Sequence, residues 1–281
     1  MTNKIKLIEK FLPNKYKKNP IWISLTILLG FILYQCTDTT VEPIFTTESK
    51  EQHIYAGLPI ATNYPNPIKR IDRTGYVLAY DEKRKNPAWV AYHLTAIEKK
   101  PTSKRPSRFN TDKTTEAKVS HKDYTHSGYD RGHMAPNYGI STRYGRAAQI
   151  ETFLMSNIVP QKPNLNRGVW RELEMKVAKL ANRFDGVYII TGPIYDNQIE
   201  TISKKNIEIP DSFYKIIIDL ENNIPRALAF IMPQNVNRKD KPEKFLTNID
   251  EIEKQTGLDF FSDLEDSYES QFEHQIAKQI W

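Results

Sequence analysis

Tyr129-Asp130-Arg131-Gly132-His133-Met134-Ala135-Pro136-Asn137 sets an acid, a guanidinium, a glycine and an imidazole in four consecutive positions. A second stretch, Asn157 to Glu174, carries Asn164-Leu165-Asn166-Arg167-Gly168 and then opens a helical pattern. Val169, Trp170, Leu173, Val177 and Leu180 recur at three- and four-residue intervals, which predicts a helix with one apolar face. Glu174 lies on that helix. The two stretches together read as an active site.

Outward from them, the chain alternates strands and helices. Tyr76–Tyr80 and Trp89–Leu94 are β-branched and aromatic runs around the charged turn Asp81–Pro87, which predicts a hairpin. Lys99–Thr115 is basic and polar with two prolines, a surface loop. Gly145–Met155 and Lys244–Gln255 are expected helices, and Gly186–Thr191, Phe213–Leu220 and Ala227–Met232 expected strands. This interleaving argues for an α+β domain.

Asp130-Arg131-Gly132-His133, followed by Ser156-Asn157-Ile158-Val159-Pro160-Gln161 and by Leu165-Asn166-Arg167-Gly168 with Trp170 and Glu174, resembles the DNA/RNA non-specific endonucleases. Further blocks, Ala88–Leu94, Ile190–Tyr195 and Ile252–Leu258, extend the likeness from about Tyr55 to about Leu264. The resemblance implies a ββα-metal, or His-Me finger, nuclease domain with an antiparallel sheet flanked by helices. It also implies a divalent cation, Mg²⁺ or Mn²⁺, DNA and RNA as substrates, and a possible homodimer.

Phosphodiester hydrolysis needs a base for water, a cation for developing charge, and stabilisation of the leaving oxygen. His133 is the expected general base, since neutral imidazole accepts a proton near neutral pH. Asn166 is the expected direct metal ligand through its amide oxygen, with a helix N-cap as an alternative that does not exclude it. Glu174, eight residues on, is about 12 Å further along a helix axis, which suits contact through a metal-bound water. Arg131 is expected on a phosphate oxygen. The resemblance also implies an arginine in the preceding loop, a role open to both Arg105 and Arg108 ahead of Phe109 and Asp112. Asp130 is expected to orient its neighbours and Asn157 to brace the site, both near substrate. Two other readings fit the same residues: a catalytically weak nuclease-fold module that only binds nucleic acid, and a metal phosphodiesterase for a non-nucleic substrate.

Length and composition set outer bounds. The 281 residues are 39% hydrophobic and 26% charged, enough for one sizeable core plus an extension. Net charge is +6, but six lysines and one glutamate in residues 1–19 hold +5 of it, leaving +1 for the rest. Any phosphate-attracting patch is therefore local. The one cysteine, Cys36, excludes an intrachain disulfide and a cysteine-rich metal site. Ile21–Cys36 carries no charge and as a helix would span roughly 24 Å. The expected organisation is a basic cytoplasmic leader over 1–19, a transmembrane signal anchor over 20–36, a tether over 37–54 and the nuclease domain over 55–281. That arrangement puts the domain outside the cytoplasm, in the periplasm or at the cell surface, with secretion after cleavage as the alternative.

Overall fold

The computed structural model describes residues 52–97, 104–196, 198–221 and 224–281. Its frame is a seven-stranded antiparallel sheet. The strands are β1 (Ile68–Arg73), β2 (Tyr76–Asp81), β3 (Asn86–Thr95), β6 (Gly186–Ile194), β7 (Ser212–Glu221), β8 (Ile224–Pro233) and β9 (Leu246–Thr247). Their spatial order is β9-β8-β7-β6-β3-β2-β1. A separate two-stranded ladder, β4 (Asp130–His133) with β5 (Ile158–Gln161), pairs antiparallel with His133 opposite Ile158 and Asp130 opposite Gln161.

The expected hairpin forms between β2 and β3, with a register shift at Ala79/Tyr80. Its turn is shorter than the sequence suggested, because the Asp81 carboxylate accepts the backbone N–H groups of Lys83 and Arg84 at 2.9 Å each and closes the loop early. In β7 every residue from Phe213 to Ile218 is buried, so both faces of the central sheet are covered. Residues of odd number face α2 (Trp170–Arg183): Phe213 meets the Trp170 ring edge-on at 5.7 Å. Tyr214 points to the other face and meets Phe260, which leads through Phe261 to Phe272.

Two helices depart from expectation. The first, α1, runs Asn137–Glu151 and not Gly145–Met155, bending at Gly145, where φ is 77°. Its first half, rich in tyrosine, glycine, serine and threonine, has weak intrinsic helix preference. Burial of Gly139, Ile140, Ser141 and Thr142 holds it in place. The other, α3, covers Ile249–Thr256. Leu246 and Thr247 ahead of it are taken by the sheet, and the Asn248 side chain accepts from Glu251 N at 3.1 Å to start the helix late. A last helix, α4, spans Asp266–His274.

The leader 1–19, the apolar run 20–36 and the tether up to Glu51 lie outside the described residues. Ile54, assigned to the tether by its polar context, is buried in the domain. Among the described residues no helix is long and apolar enough to cross a membrane.

Candidate active site

His133 ends β4 at the rim of a cleft of about 610 Å³ that is also lined by Arg105, Arg131, Asn166, Arg171 and Glu174. The β4–β5 ladder fixes its backbone. Behind the ladder, Asn157 is fully buried: its oxygen accepts Ala135 N at 2.8 Å, and its nitrogen donates to the carbonyls of Ala135 and Thr152, both at 3.0 Å. These bonds tie the residues after His133 to β5, and they leave no group of Asn157 for substrate. Asn157 does not line the cleft.

The His133 imidazole packs between Phe109 and Phe153, with ring centroids 5.3 and 5.0 Å away. Its Nε2 is buried and has no hydrogen-bond partner. Burial, and then the nearby Arg105 guanidinium, hold its pKa down at about 3, so the ring is neutral at physiological pH. Phe109 is carried by the basic loop, and Asp112 pins that loop: it accepts Ser156 Oγ at 2.5 Å, Thr114 Oγ1 at 2.7 Å, and Arg73 of β1. Arg105 reaches the cleft and stacks its guanidinium 5.2 Å from the Phe153 ring centre. Both arginines are exposed, but Arg108 does not line the cleft. Of the two loop arginines, geometry thus favours Arg105.

Asn166 sits in a π-helical turn, Leu165–Val169, just before α2. Gly168 there leaves helical geometry at φ −105°, ψ −116°. Such wide turns are frequent at functional sites because they reset side-chain direction. The Asn166 side chain caps no helix. Its Nδ2 donates to Asp130 Oδ2 at 2.9 Å, and since a carboxylate only accepts, this fixes which end of the amide is oxygen. Asp130 also takes a two-pronged contact from Arg167, at 2.7 and 2.5 Å. Asp130 thereby links the first motif to the second. Arg131 donates to the His121 carbonyl at 2.6 Å and lies 6.0 Å from the Phe109 ring centre and 5.8 Å from that of Tyr124.

Glu174 stands on the cleft wall formed by α2. Burial raises its pKa, and the cationic Lys215 opposes that rise. Lys215 is fully buried in β7, its Nζ 4.4 Å from the Trp170 ring centre and 3.4 Å from the Tyr92 hydroxyl. Burial lowers its own pKa, and Glu174 counters it. This lysine was not anticipated, although a single cation inside the apolar run Phe213–Leu220 was a visible signal. Arg167, Arg171 and Arg238, which also line the cleft, were missed as well, since spacing alone does not separate cleft-facing arginines from solvated ones. Five arginines therefore surround one carboxylate, and the positive patch is local, as the charge distribution required.

Comparison with known proteins places this geometry. Residues 59–267 match the family model described as DNA/RNA non-specific endonuclease. The mitochondrial nuclease EXOG of Danio rerio is 32% identical over 209 residues, which cover 68% of this chain and 60% of that protein. The matched region thus spans less than two thirds of that relative. The mitochondrial endonuclease G of Bos taurus is 30% identical over 211 residues, covering 70% of each chain. A solved structure described as the EndoG/EndoGI complex superimposes with a TM-score of 0.66 at 27% identity, covering 76% of this chain and 90% of that one. These findings correct the expected location. Both named relatives are mitochondrial proteins, so a cell-membrane anchor with an extracytoplasmic domain, or secretion after cleavage, is unsupported. With its mixed fold, its antiparallel sheet and the match over most of its length, the chain belongs to the DNA/RNA non-specific endonuclease family, a family of nucleases.

Proposed function

We propose that the chain is a divalent-metal-dependent endonuclease that hydrolyses phosphodiester bonds of DNA and RNA with little sequence preference. One observation carries this reading: an imidazole with a buried, unpartnered Nε2 shares a single cleft with Asn166, Glu174 and five arginines. The β4–β5 ladder followed by α2 supports the ββα-metal form of the site.

The residues present fit a hard cation. Asn166 spends its amide nitrogen on Asp130, and its oxygen accepts no hydrogen bond among the described residues. That oxygen would hold Mg²⁺, or Mn²⁺, and Glu174 would accept hydrogen bonds from water in the outer shell. When bound, the ion supplies neutralisation of charge on the scissile phosphate and on the leaving oxygen. Neutral His133 takes a proton from the attacking water, and its aromatic walls keep bulk water from competing for the ring. Arg131 and Arg105 bind non-bridging phosphate oxygens, for which a planar fork is well shaped. Contacts of this kind touch phosphate and sugar, so discrimination between bases is weak.

The test is cleavage of supercoiled plasmid and of structured RNA by the full chain, with Mg²⁺ and with chelator. His133→Ala is expected to lose ~10²- to 10⁴-fold in rate with its circular dichroism unchanged. Asn166→Ala is expected to lose metal-dependent cleavage of both substrates. Near wild-type turnover by either variant overturns the assignment of that residue, and binding without cleavage by the wild type overturns the activity.

A further inference from the structure

Away from the cleft, α3 and α4 bring carboxylates together. Asp250 and Glu253 lie one turn apart on the same side of α3, and Glu273 comes from the last turn of α4. One carboxylate oxygen of each lies within 4.8 Å of those of the other two. Oxygens on opposite sides of a Ca²⁺ ion, each at about 2.4 Å, are about 4.8 Å apart. The spacing is that of a shell around one ion.

Glu273 adds an independent observation. It is only 6% exposed, and its Oε1 is buried with no hydrogen-bond partner. A buried carboxylate that faces two others with nothing to satisfy it is costly unless a cation or a proton sits among them. The surroundings supply little positive charge. His274 Nδ1 is 2.9 Å from Asp250 Oδ2 on an exposed edge, and Lys254, which lines the adjoining cavity, pairs with Glu251 at 3.4 Å. Asp259 and Glu269 add to the negative field around Glu253 and Glu273. Phe260 N occupies Glu253 Oε1 at 2.8 Å. A cavity of about 490 Å³, lined by Asp250, Glu253, Lys254, Asp259, Gly257 and Asn63, opens beside the two α3 carboxylates.

We infer that Asp250, Glu253 and Glu273 form a second divalent-cation site, separate from the phosphodiester cleft, which takes Ca²⁺ and clamps α4 to α3. An all-oxygen donor set excludes the softer metals. Ca²⁺ is favoured over Mg²⁺ because it tolerates irregular, carboxylate-rich shells, whereas Mg²⁺ demands octahedral geometry and keeps its waters.

The test compares the full-length wild type with Glu273→Gln by equilibrium dialysis against ⁴⁵Ca²⁺ at ~1 mM, a concentration at which even weak protein Ca²⁺ sites begin to fill. Glu273→Gln is expected to bind one Ca²⁺ fewer per chain, whatever the cleft itself holds. The rise in Tm on adding Ca²⁺ is expected to shrink in the variant, because an ion bound only by the folded state stabilises it. Mg²⁺-dependent plasmid cleavage is expected to persist, which shows that the variant is folded. Asp250→Asn serves the same comparison if Glu273→Gln does not fold. Equal Ca²⁺ stoichiometry in wild type and folded variant, or an equal rise in Tm, overturns the site.

Discussion

The side-chain amide of Asn166 donates to the carboxylate of Asp130 across 36 residues of sequence. That bond selects one rotamer of Asn166 and so one direction for its oxygen. Asp130→Ala is expected to raise the Mg²⁺ concentration needed for half-maximal cleavage by about 10- to 100-fold, the usual cost of losing a partner that orients a metal ligand. Its thermal stability is expected to fall only modestly, because the ion-pair partner Arg167 is well exposed and the pair is solvent-screened. A Mg²⁺ activation curve on plasmid substrate is the measurement.

Lys215 and Glu174 depend on each other. Lys215→Met leaves Glu174, half-buried on the cleft wall, without the cation that favours its charged form, and is expected to destabilise the fold. The double variant Lys215→Met/Glu174→Gln is expected to recover part of that loss, since no uncompensated charge remains. Urea unfolding of the two single variants and the double variant closes the cycle and gives the coupling directly.

His133 is expected to remain neutral in the metal-free protein down to about pH 4, well below the ~6.5 of a free imidazole. Its ring resonances followed by NMR against pH report this, and the acid limb of kcat/KM is expected to fall below pH 6 for the same reason. Arg105→Ala is expected to move the ring's titration upward, because one of the two influences that depress it has gone.

His93 gives a pH dependence of stability that is unrelated to catalysis. It stacks on Tyr188 with ring centroids 4.0 Å apart, and burial, then the nearby His53, lower its pKa to about 4. Folding therefore resists protonation of this ring. Its contribution is complete above about pH 6.5 and is lost as the pH falls toward 4, because the unfolded chain takes up the proton first. Denaturant midpoints at neutral and acidic pH are expected to differ less in His93→Gln than in the wild type.

Gly132 shows why the motif needs its glycine. A β-carbon there would collide with the fully buried side chain of Gln161, which pairs with Asp130 two positions along the ladder while Gly132 itself pairs with Val159. Gly132→Ala is expected to destabilise the ladder by about 1–3 kcal/mol, the range for overpacking a filled site. It is also expected to lower activity by shifting His133. Thermal unfolding beside a cleavage assay separates the two effects.

The residues of the cleft that sit in compact local motifs were readable before folding. Asp130, Arg131 and His133 share one short strand, and Asn166 and Glu174 share one turn-and-helix unit. Residues that reach the site through the fold were not readable. Lys215 arrives from a strand far along the chain, and Phe153 from the end of α1. Spacing could not show that Asn157 spends all its polar groups on backbone, nor that Arg105 and not Arg108 lines the cleft. Those outcomes depend on Asp112 anchoring the loop to β1 and to Ser156, contacts distant in sequence. The early start of α1 was hidden because burial overrides weak local preference.

The cleft's arginines bear on how the protein travels on its substrate. Residues 20–281 carry a formal +1, and five arginines with Glu174 account for +4, so the remainder of that stretch is at −3. Long polyanions are then expected to be held chiefly at this one point, with no net positive charge in the remainder to form a track along which to slide. On the proposed activity, successive cuts in one nucleic-acid molecule are expected to be separate encounters, and digestion to proceed distributively, with intermediate lengths accumulating before the smallest fragments on a gel time course.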